Sequence, residues 1–245
     1  MKHVHPFLKK HSLMGMMIAA LALILAACGG TAETPTAAPA DTGADTTTDT
    51  DSQLAEVEGA TTYTVVTEAS SASYIVDEEF LAEALEKLGI QAGEQVIVGT
   101  TPGVSGQIQL NFDNPDPLVG AQFTVDMTGL QTDQDRRDNW LADNAIQTGV
   151  YPEATFVASG ATGLPSEPTE GEPVDFELSG DLTVRETTIP VTFDVTATME
   201  GDAITGTAVL NLNLTDLGIT PPDFANTLTV ADPFRIEVDL TARQS

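Results

Sequence analysis

Apolar and polar positions alternate along most of the chain beyond its first hundred or so residues. Val191, Phe193, Val195 and Ala197 interleave with Thr192, Asp194, Thr196 and Thr198. That is the period of a strand with one apolar and one polar face. Val174, Phe176, Leu178, Leu182 and Val184 hold one parity through Gly180, where a bend or bulge is expected. The same alternation runs through Ile108, Leu110 and Phe112, and through Phe123, Val125 and Met127. It returns in Leu210, Leu212 and Leu214, then in Ile236, Val238 and Leu240. Turn-forming runs separate these segments: Asp113-Asn114-Pro115, Glu200-Gly201-Asp202 and Thr220-Pro221-Pro222-Asp223. The pattern predicts an all-β, mostly antiparallel domain, as a barrel or a sandwich.

Two segments break the period. From Glu78 to Leu88 the residues Phe80, Leu81, Ala84, Leu85 and Leu88 follow a helical spacing. Asp77 can cap that helix, Gly89 can end it, and Glu83–Lys87 is an i,i+4 pair. A second helix is expected from about Asp133 to Gln147. There Thr132-x-x-Asp135 resembles a capping box, and Trp140, Leu141, Ala145 and Ile146 form an apolar side. Both are short and need the sheet to bury that side.

The N-terminus reads differently. Lys2, Lys9 and Lys10 precede an apolar stretch from about Leu13 to Leu25, then Ala26, Ala27, Cys28 and Gly29. This is the order of a secretory signal, over residues 1–27. The apolar run is shorter than the ~20 residues of a membrane span. Leu25-Ala26-Ala27-Cys28 resembles the lipobox of bacterial lipoproteins, in which the cysteine is acylated and becomes the first mature residue. Residues 28–60 then form a lipidated, disordered tether rich in Thr, Ala, Asp and Pro, and lacking aromatics through Gly59. As a flexible coil of that length it reaches ~30 Å. Residues 61–245 fit one domain. The expected location is outside the cytoplasm, with the domain held to the cell membrane by its lipid.

Cleavage before Cys28 narrows the chemistry. His3, His5 and His11 all precede it, and Cys28 is the only cysteine. The mature chain then lacks the imidazole of nucleophile–histidine catalysis and the imidazole or thiolate ligands of zinc and copper sites. No catalytic residue, no metal and no required cofactor is expected. Lys2, Lys9 and Lys10 leave with the signal, so the mature chain is more acidic than the −28 of the whole sequence. Nucleic-acid binding needs clustered Lys and Arg and is not expected.

Longer motifs point to a family. These are Arg137-Asp138-Asn139-Trp140-Leu141, then Val150-Tyr151-Pro152-Glu153-Ala154-Thr155-Phe156-Val157-Ala158-Ser159. Gly180-Asp181-Leu182-Thr183-Val184-Arg185-Glu186-Thr187-Thr188-Ile189-Pro190-Val191 and Asn213-Leu214-Thr215-Asp216-Leu217-Gly218-Ile219 follow in order. Together, over about Tyr74 to Leu240, they resemble the YceI-like family of bacterial lipocalin-like, polyisoprenoid-binding proteins. The sequence departs from that pattern at several positions. Trp140 stands in place of a usual His, Glu186 in place of Gly, and Ile189 and Leu214 in place of basic residues; the usual Asp-x-x-His-Ser of the first strand is absent.

The resemblance implies an eight-stranded antiparallel barrel with one or two short helices and an elongated apolar pocket. Barrels of this size are filled by side chains or hold one small ligand. A prenyl chain gains about 0.8 kcal/mol per buried methylene, so a long tail binds with few polar contacts. The expected lining is Leu110, Phe123, Val125, Trp140, Phe156, Phe176, Leu178, Leu182, Phe193, Val195 and Leu212. Arg136 and Arg137 are candidates for a head-group contact, although Asp133, Asp135 and Asp138 offer them local ion pairs. The function expected is a tethered, non-enzymatic carrier of an isoprenoid, quinone or similar amphiphilic lipid. A filled-barrel interaction module is the alternative. A carboxylate glycosidase would need two carboxylates at a defined separation across a cleft. Oligomeric state is left open.

Overall fold

The computed structural model describes residues 54–81, 93–225 and 227–245. The expected signal, Cys28 and the tether through residue 53 lie outside them, as do residues 82–88 of the first expected helix.

Eleven strands form one antiparallel sheet that closes on itself. They are β1 (Thr61–Val65), β2 (Ser71–Phe80), β3 (Gly93–Thr101), β4 (Val104–Leu110), β5 (Leu118–Asp126) and β6 (Glu153–Thr162). β7 (Pro173–Val184), β8 (Thr187–Glu200), β9 (Ala203–Asn213), the two-residue β10 (Asp223–Phe224) and β11 (Leu228–Gln244) complete it. β1 and β2 lie end to end along the same edge of β11: Tyr63 faces Gln244, and further on Ala72 faces Val238. A single 3-10 turn, Thr67–Ala69, separates them. β3 and β4 follow the same plan, β3 beside β2 and β4 beside β1. Counting each such pair as one stave, and leaving aside β10, which pairs only with β11 off the main path, gives a closed eight-stranded barrel, as the family resemblance implies.

Inward parity follows the sequence pattern. On β7 Leu182 and Val184 are buried, as is Phe193 on β8. Gly180 keeps a place in the regular β7–β8 register, opposite Val191. The expected bulge is on the neighbouring strand, where the β6–β7 register slips between Ala158 and Gly160. A Cβ on Gly180 would stand 2.4 Å from the Val157 carbonyl oxygen and 2.5 Å from the Phe156 ring. Glycine therefore lets the bulged strand come close.

The expected helix at Glu78–Leu88 is corrected over its start. Asp77, Glu78 and Phe80 are strand residues facing Val96, Gln95 and Gly93 of β3. The alternation Tyr74, Val76, Glu78, Phe80 carries β2 past the point where the helical spacing begins. The second expected helix is present as α1 (Asp135–Trp140), widening into a π-helical turn over Leu141–Ala145. Its cap differs from the expected box. Gln134 occupies the N-cap without a side-chain bond. Asp138 reaches back instead and accepts from both the Thr132 amide, at 2.9 Å, and the Thr132 hydroxyl, at 2.6 Å.

Residues just before β1 dock on the outside of the barrel. The Leu54 amide donates to Gln107 Oε1 at 3.1 Å, and Gln109 Nε2 donates to the Ala55 carbonyl at 3.0 Å. Among the described residues, no helix is long and apolar enough to cross a membrane.

Candidate ligand cavity

The barrel is hollow. A cavity of about 970 Å³ runs through it, walled mostly by apolar side chains, with Glu78, Arg136 and Arg137 among the polar ones. Of the expected lining residues, Leu110, Phe123, Val125, Trp140, Phe156, Phe176, Leu178, Leu182, Phe193 and Val195 are all on its wall. Leu212 is not; it packs against the main core cluster, and its register partner on β11, Phe234, lines the cavity instead. The Phe156 ring meets Phe193 edge-on at 5.2 Å and stacks beside Phe123 at 6.5 Å. These contacts fix the aromatic wall without filling the space.

Tyr63, Leu110, Ile204 and Ala242 gather at the end where β1 and β4 begin and end, with Phe112, Leu118, Leu164 and Met199 packed against them. The other end carries the mouth. Among the described residues, four of those lining the cavity are solvent-exposed: Gln95, Gln134, Arg136 and Phe224. They come from β3, the approach to α1, α1 itself and β10. Trp140 lies between the two regimes. It lines the cavity and meets Phe224 edge-on at 5.2 Å, so α1 and β10 touch across the opening.

The two arginines behave differently. Arg137 is nearly buried, with 11% of its side chain exposed, and its Nε donates to Glu78 Oε1 at 3.1 Å. It also pairs with Asp133 and donates to the Thr132 hydroxyl at 3.1 Å. Burial works against the guanidinium charge, but the hydrogen bonds to Glu78 and Asp133 outweigh it and raise its pKa. Glu78 is the partner that sequence reasoning missed, because the helical reading placed it on another element. The strand alternation from Tyr74 through Phe80 was the available signal. Arg136 is exposed and makes no ion pair among the described residues.

Tyr74 was also missed. Its ring covers Gly99 on β3, where a Cβ would approach within 2.1 Å. Among the described residues its buried hydroxyl has no hydrogen-bond partner. Burial raises its pKa well above the ordinary tyrosine value; Arg137 opposes this, while Asp138, Glu78 and Asp133 reinforce it. Among the described residues, no group of three or more His, Cys, Asp or Glu side chains converges as metal ligands would.

Comparison with known proteins matches the YceI-like domain family over residues 63–242. The chain belongs to the YceI-like family. Protein YceI of Escherichia coli strain UMN026 is 29% identical over 137 residues, or 55% of this chain and 66% of that protein. The match thus spans just under two thirds of that relative's length. A relative from Pseudomonas putida strain GB-1 is 27% identical over 164 residues, covering 63% of this chain and 80% of its own. Among solved structures, Burkholderia cenocepacia BcnA has a TM-score of 0.53 at 20% identity, over 72% of this chain and 98% of that one. A polyisoprenoid binding domain from Saccharophagus degradans, implicated in plant cell wall breakdown, has a TM-score of 0.52 at 12% identity, over 75% and 98%. Both structural likenesses speak to the barrel fold.

Proposed function

We propose that this chain is an extracytoplasmic carrier, tethered to the cell membrane through a lipid on Cys28, that holds an isoprenoid, quinone or similar amphiphile in its barrel. One observation carries the reading: a cavity of about 970 Å³ whose wall is mostly apolar and whose described exposed residues cluster at one mouth. Burying a tail there gains about 0.8 kcal/mol per methylene, with no catalytic group needed. A tail is drawn into the barrel and a polar end stays near Arg136. Family membership and the polyisoprenoid-binding neighbour support the same ligand class. The filled-barrel interaction module is disfavoured by the open interior.

The test is native mass spectrometry and lipid extraction on the full chain expressed in bacteria. The expected result is a near-stoichiometric prenyl or quinone species, and a mature N-terminus at acylated Cys28. A barrel that stays empty when offered quinones and polyprenyl alcohols would overturn the carrier. An unmodified Cys28 would overturn the tether alone.

A further inference from the structure

We infer that the cavity wall carries a recognition site for a ligand hydroxyl, formed by Glu78, Arg137 and Tyr74. The inference rests on the carrier reading and names the polar group that the amphiphile brings inside. Unused hydrogen-bonding capacity on a mostly apolar wall carries it. Tyr74, Val76 and Glu78 alternate inward along β2 and line the cavity, as does Arg137 from α1. Glu78 faces Gln95 of the mouth across β2 and β3, so the site lies just inside the opening. Each oxygen of Glu78 accepts one bond from Arg137: Oε1 from Nε at 3.1 Å and Oε2 from Nη2 at 3.3 Å. Among the described residues it has no other donor. A carboxylate oxygen has room for a second bond, and a buried ion pair offsets its desolvation only when the remaining lone pairs are also met. On the arginine, Nη1 is taken by Thr132 and Asp133. Nη2 carries a second N–H, which has no acceptor among the described residues.

Tyr74 adds another donor. Its ring lies over Gly99, where a Cβ would come within 2.1 Å, so glycine there sets where the hydroxyl points. That hydroxyl has no partner among the described residues and lies close enough to Arg137, Asp138 and Glu78 to feel their charges. Unused donors thus sit near an unused acceptor. The group that answers both donates and accepts through the same oxygen. An alcohol or a hydroquinone does this, whereas an ether or a quinone carbonyl only accepts. Bound there, the hydroxyl also fixes how far the tail slides into the barrel. Trapped water offers the same bonds without selecting a ligand, and that is the outcome the test has to exclude.

The test uses the full chain with geranylgeraniol and its methyl ether, which share a tail and differ in the O–H. Trp140 is the only tryptophan and lines the cavity, so its fluorescence reports occupancy. The readout is the alcohol-to-ether affinity ratio, compared between the unaltered chain and E78L/R137L, so that the probes' different solubilities cancel. The ratio should be about tenfold larger in the unaltered chain, the effect of one hydrogen bond to a charged acceptor. A prenylated hydroquinone and its dimethyl ether, compared in the same way, tell a phenol from an alcohol: the pair with the larger ratio names the source. Tyr74→Phe should weaken binding of the preferred hydroxyl probe about threefold, and it gives a second reading if E78L/R137L unfolds. Equal ratios in the two chains for both pairs of probes, or a hydroxyl probe held as tightly by Tyr74→Phe, would overturn the hydroxyl site and leave the carrier standing. Failure of every probe on the unaltered chain, with quinones also excluded, would remove the carrier and this inference with it.

Discussion

Arg137 on α1 and Glu78 on β2 form a nearly buried ion pair, Nε to Oε1 at 3.1 Å, that ties the helix across the mouth to the barrel wall. Glu78 retains 7% side-chain exposure, so its charge is acceptable only while its partner is present. Arg137→Ala should destabilise the domain by ~3 kcal/mol, read as a lower midpoint in urea unfolding. Replacing both residues with leucine should cost less than the arginine change alone, because no buried charge is then stranded. A double variant weaker than the single one would show that the pair contributes more than mutual neutralisation.

Tyr74 gives an alkaline signature. Its folded-state pKa lies above the unfolded value of about 10. The stability linked to this shift is complete below the unfolded pKa and is lost as pH rises toward the folded one. Tyr74→Phe should therefore flatten the fall in stability above about pH 10. Tyr63 and Tyr151 are also shifted upward, by burial first and nearby carboxylates second, so part of the slope will remain. At neutral pH the same change should stabilise by ~1 kcal/mol, since it removes a buried hydroxyl that has no partner among the described residues. Thermal unfolding across a pH series reads both effects.

Gly180→Ala should destabilise by ~2 kcal/mol, because a Cβ would stand 2.4 Å from the Val157 carbonyl oxygen, against backbone that cannot swing aside. Gly160→Ala, within the same bulged region but with open space around it, should be nearly silent. Equal losses at both positions would point to glycine flexibility, not close approach.

Ala208→Phe should block the cavity from β9, which lines it, while leaving the barrel folded. Co-purifying lipid should disappear with little change in melting temperature. Leu212→Ala offers the contrast: it should cost ~2–3 kcal/mol of packing and leave lipid content unchanged, because Leu212 packs against the core away from the wall. Mass spectrometry beside calorimetry separates the two.

The strand faces were legible in the sequence because period-two alternation maps onto inside and outside without long-range information. This placed Phe176, Leu178, Leu182, Phe193 and Val195 on the wall. β2 was harder to read. Phe80, Leu81, Ala84, Leu85 and Leu88 carry a helical spacing, and it masked the inward parity of Tyr74, Val76 and Glu78. The Arg137–Glu78 pair joins residues 59 apart in sequence, so no local pattern announces it. Leu212 shares the parity of Leu210, and only the register with Phe234 decides which side chain reaches the void. Whether a void exists at all depends on how the rings of Phe123, Phe156 and Phe193 tilt, which composition does not encode.

The segment over the mouth is held at two supports. Arg137 fastens its first turn to β2, and Arg185 Nη1 donates to the Ala145 carbonyl at 3.0 Å, fastening its last turn to the β7–β8 hairpin. A beam clamped at both ends does not swing like a door. In the proposed carrier this leaves the flank of the clamped segment, where the edge of Trp140 rests on Phe224, as the side by which a tail would enter and leave.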